Sequence, residues 1–210
     1  MSTVLKDPAH GRRLVYGVAI NDANYQVYAE ETVDGRRKRV WACPYYQTWK
    51  RMLRRCLDEK TKALKPAYAE CCVDSQWHSL MAFRAWMEEQ DWRGNELDKD
   101  LLVRGNKIYS PETCLFIPRA VNLFITESGA IRGKWPIGVS YHRRDKTFRA
   151  ECSDLHGKRL YLGNFQDPDD AHLAWLAKKR QLAALLAAQQ SDPRISKALI
   201  SRYANYQSEK

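Results

Sequence analysis

The spacing of hydrophobic and polar residues changes several times along this chain, and each change marks a new segment. Residues 14–42 alternate and are rich in β-branched and aromatic residues, in "LVYGVAI", "YQVYAEETV" and "KRVWAC". That pattern predicts two or three strands, with Asp34-Gly35 as a hairpin turn. From Tyr45 to Cys56 the period becomes helical. Tyr46, Trp49, Met52, Leu53 and Cys56 share one face, while Lys50, Arg51, Arg54 and Arg55 share the other. Pro44 stands just ahead of the run, where a helix tolerates proline. The four bases suit phosphate contacts or a solvated face equally. Residues 58–70 read as a loop. A second helix is expected from about Asp74 to Gln90, its Trp77, Leu80, Phe83, Trp86 and Met87 serving a core rather than a stacking platform.

Further on, "LDKDLLV" reads as a short strand, "RGNK" as a turn and "IYS" as another strand. A short helix near Arg119 to Phe124 follows. The stretch "ESGAIRGKWP", Glu127 to Pro136, is rich in glycine and polar residues and is expected to separate two domains, 1–130 and 131–210. Beyond it, "GVSYHRR", "TFRAECS" and "GKRLYLGNF" predict three strands. Alternation turns Val139, Tyr141, Phe148, Ala150, Cys152, Leu160 and Leu162 inward. It turns His142, Arg144, Arg149, Glu151, Arg159 and Tyr161 outward. A long helix begins near Asp167-Pro168, and a last one runs from Asp192-Pro193 to about Tyr203. The expected fold class is α+β.

Charge adds a partner to this picture. The 210 residues carry a net charge of +10 with a pI near 9.4, which favours a polyanion, above all nucleic acid. Residues 131–160 alone hold 8 Lys/Arg against 3 Asp/Glu. No apolar run approaches the roughly 18 residues of a membrane span, and the N-terminus has no signal-peptide core, so a cytoplasmic protein is expected, without a membrane partner. The six cysteines have no Cys-x-x-Cys spacing, so reduced, buried thiols are expected ahead of zinc ligands.

The segment "LDKDLLVRGNKIYSPETC", Leu97 to Cys114, is the candidate site. Its paired acids Asp98 and Asp100 lie just before a turn. Together with a downstream asparagine they offer the oxygen ligands a divalent cation takes when it activates water at a phosphodiester. This stretch resembles the motif of phage-type HNH (His-Asn-His) endonucleases, and "YYQTWKRMLRRC" and "CVDSQWHSLMAFRAW" resemble their preceding helices. The resemblance covers about residues 41–125, with a ββα-metal core at 95–125 behind an N-terminal hairpin. It implies that Asp98 and Asn122 hold Mg²⁺ or Mn²⁺, and that Thr113 takes the place of a structural asparagine. Lys99 falls where the family has its general-base histidine. A lysine, with a reference pKa near 10.4, needs a strong shift to take a proton at neutral pH. Asp100 would then serve instead as a base or an extra ligand.

Gly138 to Ala183 closely resembles a second family, the ethylene-response-factor (ERF) type of DNA-binding domain, through "GVSYH", "FRAE", "GKR-x-x-LG-x-F" and an Ala-rich helix. The resemblance implies a three-stranded sheet packed on a helix, with one face in the major groove. His142, Arg144, Lys146, Arg149, Glu151, Arg159 and Tyr161 would contact double-stranded DNA. The same pairing of modules occurs in phage and mobile endonucleases. The expected function is therefore metal-dependent cutting or nicking of double-stranded DNA, without a small-molecule cofactor, in the host cytoplasm if phage-encoded. The alternative is a catalytically inactive HNH-fold DNA-binding protein that regulates or inhibits a host process. An RNA-directed protein is a third possibility.

Overall fold

The computed structural model describes residues 14–126, 134–204 and 206. The chain is α+β and divides into two compact units, Met1–Phe116 and Ile117–Lys210. The expected boundary at 130/131 falls within 127–133, outside the described residues.

In the first unit, strands β1 (Tyr28–Val33) and β2 (Arg36–Ala42) form an antiparallel ribbon. Asp34 and Gly35 turn it with φ of 53° and 71°. Two successive positive φ values match strand twist, which is why Asp-Gly serves here. Helix α1 (Pro44–Leu57) follows directly, burying Tyr46, Trp49, Met52, Leu53 and Cys56 as its period requires. The strand expected at 14–20 is reduced to isolated bridges, Val15 with Ala19 and Ile20 with Ser79. The expected loop at 58–70 contains helix α2 (Glu59–Leu64), which Asp58 caps by accepting from the Thr61 amide at 2.9 Å.

The helix expected over 74–90 is interrupted. A 3₁₀ turn, Ser75–His78, gives way at Ser79 to helix α3 (Leu80–Glu88). Ser79 is extended because it has long-range partners. Its hydroxyl donates to Asp22 at 2.6 Å, and Asp22 also accepts from the Met81 amide at 2.9 Å. Those bonds come from a segment far away in sequence, so periodicity alone predicts one continuous helix. Trp77, Phe83 and Trp86 still pack together, in the core as expected.

Four short strands, in two pairs, hold the next segment. β3 (Cys72–Val73) pairs in parallel with β5 (Ile108–Tyr109). β4 (Asn95–Asp98) pairs with β6 (Leu115–Pro118), whose first two residues close the first unit. The strand expected over 97–103 ends at Asp98, because the residues after it fold into a side-chain-locked turn.

In the second unit, helix α4 (Arg119–Ile125) precedes an antiparallel sheet of β7 (Val139–His142), β8 (Thr147–Ser153) and β9 (Arg159–Phe165). Helix α5 (Pro168–Ala187) covers one face, and α6 (Pro193–Ala204) packs on α5. Asp167 caps α5 by accepting from the Asp169 amide at 2.7 Å. Beneath the sheet, Ala150, Cys152, Trp175, Leu176, Leu182 and Ala183 are buried. Gly138 has φ +81°, and a Cβ there would lie 2.0 Å from the Trp175 ring. Lys179 is buried, donating to the Phe124 carbonyl at 2.9 Å with its ammonium 3.3 Å from the Phe124 ring centroid. Tyr141 lies on the expected face, paired with Phe148, yet is 42% exposed, because it sits at the sheet's end in an aromatic group with Trp135 and Phe148. Among the described residues no helix is long and apolar enough to cross a membrane.

Candidate nucleic-acid interface

Asp98, Lys99 and Asp100 lie together where β4 enters its turn. Asp98 is buried, and its Oδ1 accepts from the amides of Asp100 at 2.9 Å and Leu101 at 2.7 Å. Burial raises its pKa above the usual carboxylate value, and those amides only partly offset the rise. Lys99 is only 6% exposed. Its ammonium donates to Asp100 at 2.6 Å and to the Asn106 carbonyl at 2.5 Å. Asn106 returns the link, donating to the Lys99 and Ile108 carbonyls at 2.9 and 2.7 Å. Thr113 Oγ1 donates to the Ile108 carbonyl at 2.9 Å and lies 3.0 Å from Ser110 Oγ. These side-chain to backbone bonds explain why the loop after Asp98 holds one shape without a strand partner.

This geometry gives Lys99 a donor's place, bridging the two sides of a turn. Asn122 lies on α4 in the second unit, where its carbonyl accepts from the Thr126 hydroxyl at 2.7 Å. Among the described residues no group of three or more His, Cys, Asp or Glu side chains gathers as a metal site; the expected Asp–Asn pair is a smaller set than that. Asp98 already accepts two backbone amides, and Asp100 is neutralised by an ammonium. A cation at Asp100 would have to displace the Lys99 ammonium, whereas at Asp98 the two amides occupy only Oδ1.

Arg55 is also placed differently from expectation. It donates to the Tyr109 hydroxyl at 3.2 Å, and its guanidinium lies 5.7 Å from the Tyr68 ring centroid. Of the four bases expected on one face of α1, Lys50, Arg51 and Arg54 remain on the outer side. Five of the cysteines, Cys43, Cys56, Cys71, Cys114 and Cys152, are buried and Cys72 is exposed; all are free thiols. Burial pushes Cys56 and Cys114 up to about 12.

In the second unit, the register defines the uncovered face of the sheet. Ser140 pairs with Arg149, and Arg149 with Asn164. Glu151 pairs with Tyr161, and Ser153 with Arg159. Paired residues share a face, opposite the one carrying Ala150 and Cys152 against α5. The Arg149 guanidinium lies 5.6 Å from the Tyr161 ring centroid, and Tyr161 is 58% exposed. Arg149 Nε and Thr147 Oγ1 are buried and have no hydrogen-bond partner among the described residues. Arg159 lies 3.8 Å from Glu151, and Arg144 and His142 both lie 3.1 Å from Asp145. Lys146 holds φ +53° in the β7–β8 turn. The expected set is thus gathered on one face and its adjoining turn. Ser140, Thr147 and Asn164 belong to that face as well. Alternation already turns Ser140 and Thr147 outward, whereas Asn164 joins them only through the strand register.

No family model, curated protein or solved structure matches the chain.

Proposed function

We propose that the protein binds double-stranded DNA through the uncovered face of β7–β9. The observation that carries this reading is Arg149. It stands mid-sheet between Ser140 and Asn164, braced over Tyr161, and its guanidinium has no hydrogen-bond or ion-pair partner among the described residues. A guanidinium on an uncovered face with no protein acceptor leaves its donors to an acceptor supplied from outside. A phosphate oxygen or a guanine edge supplies one. A sheet backed by one helix agrees with the ERF-type resemblance, and a sheet is one of the elements that enter DNA grooves.

In this reading the HNH-like segment 95–125 is a scaffold, and Lys99 fastens the turn rather than taking a proton from water. A second reading, a metal-dependent endonuclease, is favoured by the order of strands and helix and by the buried Asp98 followed by Asn122 on α4. It requires a cation to compete with Lys99 beside Asp100.

The test uses the full chain with a random-sequence duplex library, in Mg²⁺, Mn²⁺ or EDTA. Binding is read by selection and ends by sequencing. The expected result is selective binding that persists in EDTA, weakened roughly tenfold by Arg149→Ala, in line with about 1–3 kcal/mol for a good base contact. Unchanged affinity and sequence preference in Arg149→Ala would overturn the sheet as reader. Metal-dependent ends at a defined sequence, lost in Asp98→Ala, would establish the endonuclease reading instead.

A further inference from the structure

The first unit has its own basic, aromatic-lined groove, well separated in sequence from the HNH-like turn. It has a volume of about 640 Å³ and runs between β2 and α1, within the common range for ligand pockets. The Gln47 amide fixes its floor by donating to the Ala42 carbonyl at 2.9 Å. Arg39 and Trp41 line it from the ribbon, and Tyr46, Lys50, Arg51 and Arg54 line it from the helix. Trp41 is 49% exposed.

The charges are unevenly compensated. Arg39 lies 3.8 Å from Glu30, and Arg54 lies 3.9 Å from Asp58. Lys50 and Arg51 have no ion pair among the described residues. Lys50 instead stands 5.6 Å from the Tyr46 ring centroid, and Arg51 reaches Gln47 at 3.4 Å. Cations without an acidic partner beside a half-exposed indole are what a single-stranded polynucleotide needs. Its phosphates take the cations and an unstacked base takes the ring. Paired bases in a duplex present no free face to Trp41.

We infer that this groove binds single-stranded DNA, with phosphates on Lys50 and Arg51 and a base stacked on Trp41. The choice of DNA over RNA rests on the DNA-binding reading of the second unit, whereas the groove itself does not depend on it. One protein would then hold a duplex on its sheet and an unpaired strand on its ribbon and helix.

The experiment measures binding of the full chain to fluorescent dT20, rU20 and a duplex of equal length, across a salt series. Variants are Trp41→Ala, the double variant Lys50→Gln/Arg51→Gln, and Arg149→Ala, each with circular dichroism to check folding. Trp41→Ala is expected to weaken dT20 binding roughly tenfold. The double variant is expected to flatten its log–log salt slope by about 1.4, at ~0.7 per phosphate contact. Neither should move duplex affinity, and Arg149→Ala should leave dT20 binding intact. Unchanged dT20 affinity and slope in both groove variants would overturn the inference. So would equal loss of dT20 and duplex binding in Arg149→Ala, which would mean one shared site. Tighter binding of rU20 than dT20 would overturn the assignment to DNA. Failure of the sheet reading is read separately, from duplex affinity in Arg149→Ala.

Discussion

Asp98 has a structural duty that its acidity alone does not reveal. Its Oδ1 accepts two backbone amides at the end of β4, and burial holds its pKa up. Removing the oxygen leaves two donors unpaired, so Asp98→Ala is expected to cost about 1–3 kcal/mol in denaturant unfolding. Asp98→Asn keeps an acceptor and removes the charge, so it should retain most of the stability. The pH profile separates the two roles. A carboxyl whose folded pKa is raised holds its proton more tightly in the native state. Its contribution to stability is therefore greatest below the unfolded value near 3.9 and declines as pH rises through the folded value. Asp98→Asn should lack that decline. An unfolding free energy for Asp98→Asn that falls as far as that of Asp98→Ala would disprove the turn role.

At the scale of elements, the second unit depends on how closely β7 approaches α5. Gly138 lies just before β7 at a φ of +81°, and a Cβ there would sit 2.0 Å from the Trp175 ring. Both the backbone conformation and the space require glycine. Gly138→Ala is expected to destabilise this unit by about 3 kcal/mol or more, from left-handed strain plus overpacking. A thermal melt followed by near-ultraviolet circular dichroism measures it, since Trp175 is at the contact. A melting temperature within a degree or two of the parent would contradict the close approach. The same ring stacks on His172 at 5.3 Å and meets Tyr206 at 5.5 Å, so displacing it disturbs α5 and the end of the chain together.

For the whole molecule, which carries a net charge of +10, salt dependence tests the proposed binding to DNA. Each phosphate contact on a duplex adds about 0.9 to the log–log slope through counterion release. If Arg159 holds a phosphate, Arg159→Ala should flatten the duplex slope by about that amount and weaken all sequences alike. A contact to a base edge should instead cost affinity mainly at one base position while leaving the slope nearly unchanged. Arg149, mid-face and braced on Tyr161, is expected to follow the second pattern. Titrations from low to physiological salt on selected and random duplexes distinguish the two. A slope insensitive to Arg159→Ala would remove Arg159 from the electrostatic footprint.

The sequence by itself determined the α+β class, the Asp-Gly hairpin, the buried face of α1, the strands of the second unit and the capped start of α5. These rest on local rules: period, turn chemistry and capping act over a few residues. It also collected, by alternation, the charged residues of the exposed sheet face. Tertiary structure decided what local rules do not reach. Ser79 breaks a helix because Asp22 holds it. Arg55 leaves the basic face because Tyr109 accepts from it. Asn164 joins Arg149 only through strand register. Above all, Lys99 occupies the position where resemblance expects a base, yet its role follows from Asp100 and the Asn106 carbonyl around it. A side chain's chemistry is set by its donors, acceptors and solvent, and those come from parts of the chain that meet only when it folds.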